Sequence, residues 1–557
     1  MRKCENTLNS SKGITLIALV VTIIILIILA GISISMLTGQ NGILTRAAEA
    51  KEKTEKAQAE EQSALSELES QMNNYQDDGF DKEKGVNRPQ LASGMTRVMF
   101  TDPTSSSNGT IIKDGESGWS TDWYDYNSQK WANVMTKDGS MWVWIPRYAY
   151  IINADKSMDI KFLVGTTNKW YDPKTNKTED LPAGYKIHPC FQNGTKTGYQ
   201  NGEWKAEIRG IWVAKFEAGL PDESSAPKTT AVTGMGNSYY PVFQGKKCSY
   251  NNINVSECYL LSKTLTETNN PYGFSSSTDS HLIKNSEWGA AAYLSYSKYG
   301  KTGGKYDTTK EVYINNVSYG YWGQSSIKTT VRGNNGYAVT GYAGDNASQE
   351  QNILSSTTLG DTVTGTKTSY AWYTNNGIKA STTGNIYGIY DMSGGLAEYT
   401  ASYVKVTSAN ANYSNLSSYL QSYGKAFVFA NGSSSSYKGN TEYATEYPEY
   451  ASGKIFDGLA SRYGDGFYET QTWFGDWENN DASGPFFTRG AYWYSTSIAG
   501  VFGFDDDGGG SYNVIRFPSR VGGAVALRTF LVTWFLFKLK IGTGYLQKSK
   551  NKIEKWL

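Results

Sequence analysis

Residues 486–517 read FFTRGAYWYSTSIAGVFGFDDDGGGSYNVIRF. Tyr492, Trp493, Tyr494 and Tyr512 stand among Ser495, Ser497, Ser511, Asn513 and a run of glycines. Rigid amphipathic aromatics give contact area at low entropy cost, and small polar residues give adaptable hydrogen bonds, so this mixture reads as a recognition surface. Plainer positions, Arg489-Gly490 and Ala499-Gly500-Val501-Phe502, lie between them as framework. Framework alternating with contact-type residues points to binding and away from chemistry.

Three more stretches accompany this one. They are GIWVAKFEAG (Gly210–Gly219), NSEWGAAAYLSYSKYG (Asn285–Gly300) and GIYDMSGGLAEY (Gly388–Tyr399). The first predicts a strand ending on Glu217. The second predicts a short helix with Asn285 or Ser286 as N-cap and Gly300 just past its end. The third predicts a strand and a tight turn, with Gly394-Gly395 taking backbone angles closed to other residues. RGAYWYS…AGVFGF resembles the variable segment of the C-type-lectin-fold proteins diversified by retroelements. The three upstream stretches are similar to the broader group that includes the formylglycine-generating enzymes. The resemblance implies an α+β head of C-type lectin fold, formylglycine-generating-enzyme-like, with long loop insertions. It also implies a ligand-binding face made of Ala491, Trp493, Tyr494, Ser495, Ser497, Ile498, Gly503, Asp505, Asp506 and Asp507, joined by Tyr512, Asn513 and Val514. Trp493 and Tyr494 are the expected anchors. The expected ligand is an extracellular protein or glycan.

The chain begins differently. Ile14–Leu37 carries no charge over 24 residues, enough to cross a hydrocarbon core as a helix. Arg2, Lys3 and Lys12 before it favour a cytoplasmic N-terminus and everything else outside. SKGITLIALVVTIII resembles a prepilin signal, and by that resemblance a prepilin peptidase cuts between Gly13 and Ile14. Ala18 stands where pilins carry a glutamate associated with assembly, which disfavours a major pilus subunit. An uncleaved signal-anchor helix is the alternative. Arg46–Met72 reads as a polar helix with Glu49–Lys53 and Glu52–Lys56 as i,i+4 pairs. Ala64, Leu65, Leu68 and Met72 form a narrow apolar stripe, suited to docking on a partner, a pilin-like subunit or another copy, and a solvated spacer is the alternative. The expected order is therefore a leader (1–13), a transmembrane helix (14–38), a helical stalk (39–76), a linker (77–94), the head (95–530) and an atypical tail (531–557). A single-pass membrane protein with an outward head follows from that order.

Composition narrows the function. Lysine and arginine number 53 against 52 aspartate and glutamate, so charge makes no case for nucleic acid. The 41 tyrosines, 16 tryptophans and 58 glycines suit a β- and loop-rich protein whose surface is its function. SMWVWIPRYAYII (Ser140–Ile152) is too continuously apolar for an amphipathic strand and predicts a buried one. Lys305–Gly384 and Ala401–Asp476 read as elaborated loops and short strands.

Formylglycine-generating enzymes work through a C-terminal cysteine pair, and this chain has no cysteine after Cys258. Only His188 and His281 occur, so histidine-based catalysis or a multi-histidine metal site is poorly supplied. Asp505-Asp506-Asp507 alternate faces if extended and do not converge on one ion. Glu398 and Arg489 read as members of a structural network. A Cys248–Cys258 disulfide is conceivable outside the cell. No catalytic residue, metal or cofactor is expected. The rival functions are a minor pilin or pseudopilin, a fixed-specificity adhesin and, further off, a sulfatase-modifying-type enzyme.

After Phe517 the resemblance stops. One permitted codon set from Phe517 into Ala526, read one base later, gives Phe-Arg-Pro-Ala-Leu-Ala-Val-Leu and a stop, the closing pattern of the resembled family. A single-base slip would then have produced Pro518–Leu557. The rival reading takes Ala526–Thr533 as the true last strand.

Overall fold

The computed structural model describes residues 16–38, 51, 54, 79–192, 207–221, 240–250, 258, 261–262, 265–319, 338–356, 358–404, 445–447, 463–470, 473–475, 478–479, 486–508 and 526–527. The chain separates into two units, Met1–Gln76 and Asp77–Leu557.

In the first unit a helix, α1, runs over Leu16–Thr38. The expected membrane span does not follow from it. Among the described residues no helix is long and apolar enough to cross a membrane. The expectation of a single-pass membrane protein with an outward head is corrected accordingly. The cleavage pair Gly13 and Ile14 and nearly all of the expected stalk lie outside the described residues.

The second unit is mixed α+β, mostly strands with few helices. One antiparallel sheet of five strands runs in the spatial order Gly210–Ala214, Met141–Pro146, Asn133–Met135, Thr96–Phe100, Ile111–Lys113. Met141–Pro146 is buried at every position, as its unbroken apolar run predicts. Both its faces are covered, so it has no need of a polar side. Trp144 lies opposite Trp212 in register, with ring centroids 5.2 Å apart. At Arg147 the chain turns a corner. Tyr148–Ile152 then joins a separate three-stranded sheet between Lys186–Ile187 and Met158–Phe162.

The expected strand over GIWVAKFEAG is shorter than its pattern predicts. It closes at Ala214, and the chain then bends so that Lys215, Phe216 and Glu217 are all buried. Residues 79–94, expected within a linker, are built into the body of this unit. Phe80–Asp81 pairs with Val86–Asn87. The buried Asn87 side chain donates to Gly165 O and Arg209 O, and the Trp212 indole donates to Gln90 O.

The second five-stranded sheet carries the segment of interest. Its order is Thr445–Tyr447, Glu398–Val404, Phe486–Arg489, Phe504–Gly508, Glu478–Asn479. The three central strands pair antiparallel and the two outer ones parallel. One helix of the unit, α2, spans Asn285–Ser295 and is buried along its whole length. Its N-cap is Lys284, one residue before the expected Asn285 or Ser286. Glu287 decides this, because its Oε2 accepts the Lys284 amide at 2.9 Å, as an acidic third residue does in a capping box. The helix ends at Ser295, short of Gly300. Gly289 sits mid-helix, where a glycine costs about 1 kcal/mol of helix propensity. A Cβ there would lie 2.0 Å from Gly464 O, so the glycine lets the 463–470 segment press against α2.

Ala526–Leu527 pairs antiparallel with Thr278–Asp279, inside the span where the second reading of the C-terminus places a strand. The rest of the tail lies outside the described residues. The conceivable Cys248–Cys258 disulfide is not formed, since Cys190, Cys248 and Cys258 are buried thiols.

Candidate functional site

Arg489 ends its strand with a wholly buried side chain. Its Nε donates to Gly503 O at 2.9 Å, Nη1 to Asp465 O at 2.9 Å and Nη2 to Gly466 O at 2.6 Å. The guanidinium lies 5.7 Å from the ring centroids of both Trp288 and Phe504. One side chain thus gathers three carbonyls from two backbone segments, using the fork of donors that only arginine has. Trp288 adds a fourth tie, donating from its indole to Val501 O at 2.7 Å.

Held this way, the chain from 490 to 499 loops outward. Ala491 and Thr496 take left-handed backbone angles, φ +58° and +51°. Ser495 closes the loop from within: its Oγ accepts the Tyr492 amide at 3.0 Å, and its own amide donates to Tyr492 O. A short 3₁₀ turn follows over Thr496–Ile498.

The structure divides the expected contact residues. Ala491, Trp493, Ser495 and Gly503 are buried. Tyr494 and Thr496 are half-buried, whereas Ser497 and Ile498 are exposed, Ile498 by 36%. Trp493, expected as an anchor, is only 1% exposed, and its amide donates to Gly395 O at 2.8 Å. Its indole Nε1 has no hydrogen-bond partner among the described residues. Tyr494 stacks on Tyr492 at 5.1 Å between centroids. Asp505, Asp506 and Asp507 lie in the strand Phe504–Gly508, extended as their alternation requires. Tyr512, Asn513 and Val514 lie outside the described residues.

Beneath the loop the three upstream stretches meet. Gly394 and Gly395 have φ of +74° and +76°, and a Cβ on Gly395 would sit 2.9 Å from Glu217 Oε2. Glu217, Asp391 and Glu398 are all buried. Ser249 Oγ donates to Glu217 Oε1, and the Leu396 amide donates to Oε2 at 3.0 Å. Asp391 accepts from the Gly341 amide at 2.8 Å and from Asn315 Nδ2 at 2.9 Å. Burial first, then the charges of Asp391 and Glu398, push the Glu217 carboxyl well above the usual carboxylate range. A carboxyl wedged among acidic neighbours, with both oxygens hydrogen-bonded, is a fixture of the framework, and Glu398 lies in register opposite Arg489.

Sequence reasoning marked Glu217, Glu398 and Arg489 but missed Asp391, Ser249 and Asn315. The available signal was Asp391 standing just before a double-glycine turn, itself at φ +62°. Both histidines are fully buried, and burial pulls His188 down to about 3. Among the described residues no group of three or more histidine, cysteine or acidic side chains is placed to hold a metal ion.

Compared with known proteins, the chain matches no family model and no curated protein.

Proposed function

We propose that this chain is a non-catalytic ligand-binding protein of the C-type-lectin, formylglycine-generating-enzyme-like kind, whose segment around 486–517 is diversified by a retroelement to recognise a protein or glycan. One observation carries the reading: the segment separates into positions that hold the fold and positions that face outward. Arg489, Val501, Phe502 and Phe504 are buried in the framework, while Tyr494, Thr496, Ser497 and Ile498 form the outward turn. Substitution at the second set leaves the first intact, which is the requirement for changing specificity without refolding.

The test is deep sequencing of the 3′ end of the gene and its flanking DNA from one clonal population. The expected result is substitution concentrated in codons 491–514, sparing 489–490 and 499–502, with a near-copy nearby that differs at adenines. A uniform sequence without a near-copy sinks diversification and leaves a binder of fixed specificity. The same reads fix the frame after Phe517.

A further inference from the structure

Arg489 grips the segment 463–470 through Asp465 O and Gly466 O, but that segment has little stiffness of its own. Gly464 and Gly466 take left-handed angles, φ +77° and +66°, and glycine loses more conformational freedom on folding than any other residue. A clamp on two such carbonyls is only as firm as whatever holds them from the other side.

Glu469 holds them. Its Oε2 accepts three hydrogen bonds, from the Tyr150 hydroxyl at 2.5 Å, the Tyr293 hydroxyl at 3.1 Å and the Gly464 amide at 2.9 Å. Tyr150 belongs to the strand Tyr148–Ile152 and Tyr293 to α2, so one oxygen ties the segment to a sheet and a helix together. The two phenol rings pack edge to face with centroids 5.0 Å apart. Burial, and then the charge of Glu469, holds both phenols well above their ordinary range, so both stay protonated and donate. Oε1 takes Lys186 Nζ at 3.0 Å, and that ammonium lies 3.6 Å from the Tyr463 ring centroid.

The two carboxylate oxygens are unequal. The Lys186 side chain is 47% exposed, and an ion pair open to water on one side contributes little. The three donors on Oε2 come from buried residues, and a hydrogen bond to an ionised group is roughly twice as strong as a neutral one.

We propose that Glu469 is the positioning residue of the outward turn: it fixes 464–466, those carbonyls fix Arg489, and Arg489 fixes where the chain enters residues 490–499. The role rests on the binding function proposed above, since a turn ordered before its ligand arrives loses less freedom on binding. Every link in this relay lies outside residues 490–499, so it serves whatever sequence is written there.

Amide hydrogen exchange on the full chain reads the relay without a ligand. Glu469→Ala should speed exchange about tenfold at Gly490, Tyr492 and Trp493, whose amides bond to Gly503 O, Ser495 Oγ and Gly395 O, and leave Trp142–Ile145 unchanged. Glu469→Gln keeps an oxygen for the three donors and gives up only Lys186, so it should stay within about twofold of the parent, as should Lys186→Met. Tyr293→Phe, a milder variant in case Glu469→Ala does not fold, should speed the same three amides about threefold. Faster exchange confined to 463–470, an equal rise in Trp142–Ile145, or Glu469→Gln behaving like Glu469→Ala overturns the proposal. Exchange reports on the relay alone and gene sequencing on diversification alone, so either can fail without the other.

Discussion

Lys215 is wholly buried, and no carboxylate among the described residues pairs with its ammonium. Nζ donates instead to Asn133 Oδ1 at 2.9 Å, Ile386 O at 2.7 Å and Gly388 O at 2.9 Å, with the rings of Phe100, Trp372 and Tyr390 around it. Burial pulls its pKa well down, but three acceptors match the three donors of an ammonium. Lys215→Met should therefore cost about 2–4 kcal/mol in chemical denaturation, because it strands the oxygens. Glu217 tests the opposite sign. Its raised pKa gives stability that is full below about 4.3 and is lost as pH rises through the folded value. Glu217→Gln should flatten that alkaline loss in a pH series of thermal melts. Trp493→Phe should change stability by under about 1 kcal/mol, since removing an unsatisfied donor offsets the smaller ring. Tyr494→Ala or Ile498→Ala, by contrast, should leave stability alone and weaken binding of any selected ligand about 5–30-fold. The sequence marks all three aromatic and apolar positions alike. It does not say that Trp493 faces in, because the left-handed angles at Ala491 and Thr496 that rotate the loop fall on residues with no glycine signal.

Among elements, helix α2 was the most legible, since a capped run of small and aromatic residues over 285–295 admits little else. What its sequence conceals is how tightly it is met from outside. Gly289→Ala gains about 1 kcal/mol of helix propensity, yet places a Cβ 2.0 Å from Gly464 O. The clash wins, and a net loss of about 1–3 kcal/mol is expected from denaturant titration. The two-residue strand Thr278–Asp279 was not legible at all, because its partner Ala526–Leu527 lies far along the chain in a stretch whose reading frame was itself in question. Just after it, His281 sits between Asp279 Oδ1 at 3.4 Å and Glu287 Oε1 at 2.9 Å. Burial pulls this imidazole's pKa down, but the two carboxylates outweigh it and raise it; the same pairing holds Glu287 low against its burial. The histidine's contribution is full below about 6.5 and fades as pH rises, while that of Glu287 is full above about 4.3 and fades as pH falls. His281→Asn should therefore cost most between those values and progressively less towards pH 9, as read by thermal melts.

At the scale of the molecule, the burial of Met141–Pro146 was readable from residue types alone; the motif stretches were marked in the sequence, though not their meeting in space. The bends between them were not. Lys215, Arg147 and Arg489 all end or follow strands with charged groups turned inward, where a hydropathy pattern predicts an exit to solvent. Their positions follow from acceptors supplied by remote segments, backbone carbonyls together with Asn133 for Lys215 and Asn168 and Glu207 for Arg147, and no local pattern carries that information. Residues 79–94 make the same point, reading as a charged linker yet placing Asn87 under Trp144.

Three hydrogen bonds that Arg489 makes to the neighbouring loops end on main-chain oxygen. A clamp of that kind is blind to the letters it grips. Position 466 is the exception, since its φ is +66° and a Cβ there would lie 3.3 Å from Arg489 Nη2. Inheritance then has a short rule to obey: keep the arginine and that glycine, and other letters around them are read only through their main chain.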